Sequence, residues 1–134
     1  MTGPPTATRS ARVLFGLAAL SGAVAVATGA FGAHALGDAV TPDRLATWRT
    51  ASAYALGHAP AALGASALGA HAASGPALWA ARLFLVGTAL FSGSLWALVL
   101  LDASWLGAVA PLGGVALIAA WVLLARAGWA LGPR

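Results

Sequence analysis

This chain of 134 residues contains no cysteine, no lysine and no glutamate. Without cysteine, disulfide frameworks, iron–sulfur clusters and thiolate chemistry are excluded. Charged side chains are limited to seven arginines and three aspartates, 7% of the chain, against a hydrophobic fraction of 60%. A soluble domain usually carries about 25% charged residues. The composition is therefore not that of a soluble domain.

The excess of basic over acidic side chains does not indicate a nucleic-acid-binding protein. The formal net charge is +4, and the few arginines are dispersed among the short segments between apolar stretches. A nucleic-acid interface requires a clustered basic face or stripe. We expect no nucleic acid as a partner.

Four nearly uncharged stretches fill most of the chain, at residues 13–35, 51–73, 83–101 and 103–125. About 20 apolar residues in a helix span the hydrocarbon core of a bilayer, and in lipid each backbone amide must be satisfied within its own helix. The sequence predicts an all-α integral membrane four-helix bundle in the lipid bilayer. We expect one domain, residues 11–134, after a disordered tail of residues 1–10.

The first stretch also has features of a secretory signal. Arg9 and Arg12 precede an apolar run, and Ala33-His34-Ala35 resembles a cleavage site. The run is longer than a typical signal core of about 7–15 residues, and its small residues are spaced as in a packed helix. We favour a retained first span.

A short helix is predicted before the second span. Thr41-Pro42-Asp43 is a typical helix start, with a hydroxyl N-cap, proline in the first turn and an acid near the positive helix end. Leu45, Trp48 and Ser52 follow at helical spacing, and tryptophan is common at the membrane–water interface. The pattern indicates an interfacial amphipathic helix that bends into span two.

Four spans place both termini on one side of the membrane. That side would carry five arginines, and the other side would carry Arg44, Arg49 and all three aspartates. Because positive residues favour the cytoplasmic face, we expect both termini in the cytoplasm and the protein in the inner (plasma) membrane.

Small residues are expected to hold the spans together, since close backbone approach replaces the hydrophobic drive between helices in lipid. Proline within a span is expected to kink its helix; an unwound binding segment at Pro111 is the alternative. The candidate packing residues are Gly22, Gly29, Gly57, Gly64, Gly87, Gly93, Pro111, Gly113 and Gly114.

Polar side chains within the spans are the candidates for a site, because histidine is costly in a membrane. His34 and His58 are predicted at neighbouring depths, with Tyr54 one turn from His58, and they would serve either structure or function. The functional alternatives are a proton or small-solute path and, less favoured, a haem or metal site. Ser92 and Ser94 are expected to serve helix packing.

Four motifs, in order along the chain, resemble the bacterial "domain of unknown function 423" family, which is related to transmembrane protein 256 of animals. These motifs are Gly29-Ala-Phe-Gly-Ala-His34-Ala-Leu36, Trp48-x-Thr50-Ala51-x-x-Tyr54-x-x-x-His58-Ala59, Phe91-Ser-Gly-Ser-Leu-Trp96, and Pro111-Leu-Gly-Gly114 with Trp121. The resemblance implies a small four-span inner-membrane protein and implies no reaction.

The resemblance also selects residues for a shared site. Ala110 stands where the family usually has threonine, Pro60 stands where it has an aliphatic residue, and His71 does not belong to the motif. The motif positions that match, and that are therefore the candidates for a shared polar site, are His34, Trp48, Tyr54, His58, Ser92 and Ser94.

Three functions remain as hypotheses. The preferred one is a non-enzymatic bundle that self-associates or stabilises a larger membrane complex, because no catalytic constellation is present. The alternative is an oligomeric conduit for protons or a small solute through His34, Tyr54 and His58. A haem- or metal-binding redox protein is the third. We expect no cofactor, no metal and no catalytic residue.

Overall fold

A computed structural model describes residues 6–131, and within that range the chain is helical without strands. The helices are α1 (Thr6–His34), α2 (Pro42–His71), α3 (Gly75–Leu101) and α4 (Ala110–Trp129). A short 3-10 helix, Ser104–Ala108, connects α3 and α4. The all-helical prediction is confirmed.

Three segments are long and apolar enough to cross a membrane, at Arg9–His34, Gly75–Leu101 and Ser104–Trp129. Large hydrophobic side chains are exposed on these segments, as on a surface that faces lipid. The remaining helix, α2, has 30 residues but is less apolar because it carries charged and histidine side chains. The fold is therefore helical with three apolar candidate spans.

Local capping explains where two helices begin. The Thr41 hydroxyl accepts a hydrogen bond from the Arg44 amide at 3.4 Å, with proline and Asp43 in the first turn of α2. Ser74 caps α3 in the same way through the Ala77 amide, also at 3.4 Å. These side chains satisfy amides that have no partner within the helix. The predicted helix start at Thr41 is confirmed.

The predicted separate interfacial helix is wrong. Residues 42–50 are the first turns of α2, which continues without interruption to His71. The helix also continues through Pro60 without interruption. Backbone hydrogen bonds propagate through this stretch because every residue between Pro42 and Pro60 has an amide donor, and Pro42 lies in the first turn, where none is needed.

Two further predictions require correction. Residues 6–10, expected in a disordered tail, form the first turns of α1, whereas residues 1–5 lie outside the described part of the chain. Pro111 was expected to kink span four, but it lies in the first turn of α4. A first-turn residue needs no intrahelical amide donor, so proline starts this helix instead of bending it.

The helices pack in chain order. α2 packs against α1 and α3, α4 packs against α3, and α1 makes a smaller contact with α3. The two outer helices, α1 and α4, have no substantial contact with each other. The helices therefore form an open row in which α1 also touches α3. Broad faces of α1 and α4 are not covered by other helices.

Alanine and a few large side chains form the main core. Ala18 of α1, Ala62 of α2, Ala81 and Phe84 of α3 and Leu117 of α4 are almost fully buried there. Small side chains allow helix axes to approach closely, which increases van der Waals contact in a lipid environment. A second, smaller core surrounds Trp48 and is described below.

Three of the predicted packing glycines lie against a neighbouring helix. A Cβ on Gly113 would collide with the backbone of Phe91 and Gly87, and one on Gly87 would lie 2.9 Å from Leu117. A Cβ on Gly22 would make an ordinary contact, 3.5 Å from Ala59. At Gly113 the backbones of α3 and α4 are therefore in direct contact.

Other predicted glycines do not pack within the chain. Open space lies beside the missing Cβ of Gly29, Gly57, Gly64, Gly93 and Gly114. Two tight positions were not predicted: a Cβ on Gly32 would collide with the Trp48 ring, and one on Gly69 with Leu78. Sequence spacing reports which glycines share a face, and it does not report which face meets a neighbour.

Candidate functional site

Trp48 is the central residue of a cluster between α1, α2 and α3. It is only 2% exposed, and its indole nitrogen donates a 2.7 Å hydrogen bond to the Thr28 carbonyl of α1. Its ring centroid lies 5.5 Å from that of Phe31 and 6.1 Å from that of Trp96. The absence of a side chain at Gly32 opens a buried slot for the ring. The depth of Trp48 at the membrane–water interface stays a prediction.

Ser92 and Trp96 extend this cluster by joining α3 to α2. The buried Ser92 hydroxyl donates to the Ala51 carbonyl at 2.8 Å. The Trp96 indole donates to the Ser52 hydroxyl at 3.2 Å. Together with the Trp48 bond, these contacts fix α1 and α3 to α2. We call Thr28, Trp48, Ser52, Ser92 and Trp96 the tryptophan cluster.

Ser94 does not belong to that cluster. Its buried hydroxyl donates to the Phe91 carbonyl of its own helix at 3.1 Å. Ser66 makes the same kind of bond to Ala62 in α2, at 2.7 Å. Such bonds satisfy a buried hydroxyl locally and join no two helices.

His58 lies among aromatic rings near the middle of α2. Its Nδ1 is 2.7 Å from the Tyr54 carbonyl. Because a carbonyl can only accept, Nδ1 carries the proton and Nε2 keeps the lone pair in the neutral ring. The His58 ring is 5.7 Å from Tyr54, 5.9 Å from Phe84 and 6.2 Å from Trp121 between centroids. The sequence correctly placed Tyr54 beside His58.

His34 does not share this site. Gly22 of α1 lies opposite Ala59 of α2, so His58 is level with about residue 22 of α1. His34 is twelve residues further along, which at 1.5 Å per residue is about 18 Å along the helix axis. The predicted neighbouring depths are wrong because α2 begins at Pro42, nine residues earlier than the predicted span.

The three histidines do not converge. His34 and His71 are exposed at the last residues of α1 and α2. Within residues 6–131, no three histidine or aspartate side chains lie close enough to hold a metal ion together. Among the described residues, a metal ion or haem iron bound at His58 would therefore have this imidazole as its single histidine ligand.

Arg44 forms a connection at the opposite end of α3 from Ser74. Its guanidinium donates to the Asp102 carboxylate at 2.6 Å, to the Leu98 carbonyl at 3.2 Å and to the Ser104 hydroxyl at 3.2 Å. Asp102 ends α3 in a left-handed conformation, with φ 52°. The Asp102 side chain is 86% exposed, so solvent screens the ion pair. The bond to the Leu98 carbonyl anchors the start of α2 on the end of α3.

Several residues that join helices were not predicted from the sequence. Thr28, Ser52 and Arg44 each join two elements, and none was selected as a site residue. Trp96 stood in a quoted motif, four residues after Ser92, and that one-turn spacing was the available signal. The bond from Trp48 to Thr28 depends on how two helices are aligned, and no local pattern reports it.

A model of the family described as "Protein of unknown function (DUF423)" matches residues 28–114. The chain belongs to this family. The match begins at Thr28 and includes the whole tryptophan cluster with Tyr54 and His58. The resemblance inferred from four sequence motifs is confirmed.

Relatives are found in distant bacteria and in a fungus. A UPF0382 membrane protein of Staphylococcus aureus is 39% identical, over 81% of this chain and 88% of its own. The UPF0382 inner membrane protein YgdD of Escherichia coli is 35% identical, over 86% and 88%. A UPF0382 membrane protein of Schizosaccharomyces pombe is 32% identical, over 83% and 97%. This DUF423 member is therefore a membrane protein of a family without a named activity.

The search of solved structures found no match.

Proposed function

We propose that this DUF423 protein is a non-enzymatic structural protein of the inner membrane that works through its helix packing. The observation that supports the proposal most is how its buried polar groups are used. Ser92 and Trp48 bond backbone carbonyls of other helices, and Trp96 bonds Ser52. Among the described residues, no buried side-chain nitrogen or oxygen lacks a hydrogen-bond partner, as expected when buried polar groups serve helix packing.

The faces of α1 and α4 that no other helix covers are available for association as well as for contact with lipid. Such a protein stabilises a larger complex, or an assembly of its own copies, by presenting these faces to other membrane helices. A conduit is less well supported, because about 18 Å along the axis separates His34 from His58. A proton path would need further polar groups between them.

A flux measurement tests the conduit against the structural role. In liposomes that contain a pH-sensitive dye, we expect the membranes with the wild-type protein and those with His58→Ala to be equally impermeable to protons. We expect Ser92→Ala to lower the thermal midpoint in detergent, because one interhelical hydrogen bond worth about 1–2 kcal/mol is lost. A proton leak in the wild type that His58→Ala removes would contradict the proposal and support the conduit.

The matched control for the stability measurement is Ser94→Ala. The Ser94 hydroxyl is buried like that of Ser92, but it bonds only its own helix. We expect its midpoint to stay within about 0.5 kcal/mol of the wild type, as for a change that breaks no special contact. Equal losses in the two variants would show that the bond between α3 and α2 carries no particular weight.

We further propose that α2 is the fourth span and that both termini are cytoplasmic. With antiparallel neighbours, Arg9, Arg12, Arg82 and Arg126 lie at one end, and all three aspartates lie at the other. This asymmetry favours a cytoplasmic position for the arginine-rich end. α2 is less apolar than the other helices, but it lies between α1 and α3 and shares their length.

Cysteine labelling tests this topology directly, because the chain has no cysteine of its own. In intact cells, we expect a membrane-impermeant maleimide to label Ala39→Cys between α1 and α2. Ala73→Cys between α2 and α3 should react only after the membrane is permeabilised. Labelling of both positions in intact cells would contradict four spans, and the reversed pattern would contradict the orientation.

A further inference from the structure

A cleft between the N-terminal ends of α1 and α3 contains two arginines. Its volume is about 270 Å³, and it is lined by Arg9, Ser10, Val13, Leu14 and Arg82. Val13 and Leu14 provide apolar walls, and the arginines and the serine hydroxyl provide hydrogen-bond donors. A site that is apolar on one side and cationic on the other has the chemical character of a lipid headgroup with the start of its chains.

Arg82 is directed toward the end of the bundle. It lies seven residues after the start of α3 at Gly75, which is about 10 Å into the helix. Its guanidinium carbon lies 4.8 Å from the ring centroid of Trp79, one turn nearer that start. The long side chain therefore extends toward the membrane surface, as arginine does when it lies within a span. The Arg82 guanidinium therefore extends toward the end of the cleft that Arg9 also lines.

The charge at this end has no internal counterion among the described residues. All three aspartates lie at the opposite end of the helices, and the single ion pair within residues 6–131 joins Arg44 and Asp102 there. α1 and α3 run parallel, so the positive ends of both helix dipoles also lie beside the cleft. An anion at this position would be stabilised by the two guanidiniums together, and guanidinium binds phosphate by paired hydrogen bonds.

We propose that this cleft binds the phosphate headgroup of an anionic phospholipid from the membrane leaflet in which the cleft lies. Arg9 and Arg82 hold the phosphodiester, and Val13 and Leu14 contact the adjoining glycerol and acyl chains. The proposal depends on the chain lying in a membrane, and it does not depend on the absence of enzymatic activity. It goes beyond the structural role by assigning a ligand class to one end of the fold.

Native mass spectrometry of the full chain in detergent tests the proposal, with phosphatidylglycerol or phosphatidylcholine added at matched concentrations. We expect one phosphatidylglycerol to remain bound in preference to phosphatidylcholine. In the double variant R9Q/R82Q, we expect the apparent affinity for phosphatidylglycerol to fall about tenfold or more, because each lost hydrogen bond to a charged group weakens binding by about tenfold or more.

The matched control is R12Q/R126Q. Both of these arginines are exposed at the same end and line no part of the cleft, so the control removes an equal charge. We expect its affinity to change by less than about twofold, since non-contacting surface charges contribute little. Equal losses in the two double variants would overturn the proposal in favour of a general surface charge effect.

Two further arms make the result decisive. Arg9→Gln alone, an exposed change in the first turns of α1, provides a variant that does not alter buried packing, and it should also weaken phosphatidylglycerol binding. Millimolar inorganic phosphate is not expected to displace the lipid, because it makes no contact with the apolar walls. Displacement with retention of a phosphate mass, or unchanged lipid binding in both Arg9 variants, would overturn the proposal.

Discussion

Gly113→Ala is expected to destabilise this protein more than any other single added methyl group. The new Cβ would collide with the Phe91 amide nitrogen and would lie 2.7 Å from the Gly87 carbonyl oxygen and 2.8 Å from the Phe91 Cα. All three neighbours are backbone atoms of α3, so no side chain can rotate away. The helices would have to separate, at a cost of about 1–3 kcal/mol or more for an overpacked contact.

The measurement is the thermal unfolding midpoint in detergent, with the folded yield from size-exclusion chromatography. Gly114→Ala is the matched control, since it adds the same methyl group at the next residue, where nothing lies within 4 Å. We expect this control to match or slightly exceed the wild type, because alanine favours helix by about 1 kcal/mol over glycine. Equal midpoints for the two variants would show that α3 and α4 do not cross at Gly113.

Trp48→Ala is expected to have the second large effect. The change removes one of the two tryptophans of the tryptophan cluster, its contacts with Phe31 and Trp96, and its hydrogen bond to Thr28. Replacing a buried tryptophan with alanine costs about 3–5 kcal/mol, because a cavity remains. The thermal midpoint should fall by roughly 10 °C or more for a protein of this size.

Trp105→Ala is the control for this change, because Trp105 is 71% exposed in the 3-10 helix. We expect its midpoint to shift far less, since exposed substitutions stay within about 0.5 kcal/mol. A side-chain substitution at Thr28 does not test the hydrogen bond from Trp48, because its acceptor is the backbone carbonyl of Thr28. Trp48→Phe removes the indole donor and keeps an aromatic ring, and we expect a loss smaller than that of Trp48→Ala and of at least about 0.5–1.5 kcal/mol, from the missing donor and the smaller ring. Stability of Trp48→Ala equal to that of Trp105→Ala would contradict the buried position.

The region that the family model matches begins at Thr28 and ends at Gly114. It contains the tryptophan cluster and the α3–α4 contact at Gly113, together with Arg44, Arg49 and Arg82. Arg9, Arg12 and Arg126 lie outside it.

The sequence by itself determined the helical membrane fold and the helix start at Thr41. Both follow from local physics: apolar length decides insertion, and a hydroxyl before Pro42 satisfies the first amides of the helix. The pairing of Tyr54 with His58 was also predicted, because residues four apart share a helix face. Each of these properties depends on neighbours within one turn or one span.

Only the tertiary structure decided which residues meet across helices. It buried Trp48 over Gly32, separated His34 from His58, and selected Gly113 over Gly114 for the crossing. These outcomes depend on the rotation and axial alignment of neighbouring helices. Alanine and glycine line several faces of these helices alike, so many alignments look equivalent in the sequence. The choice among them is made by steric fit over the whole interface, where a shift of one residue turns a helix by about 100°.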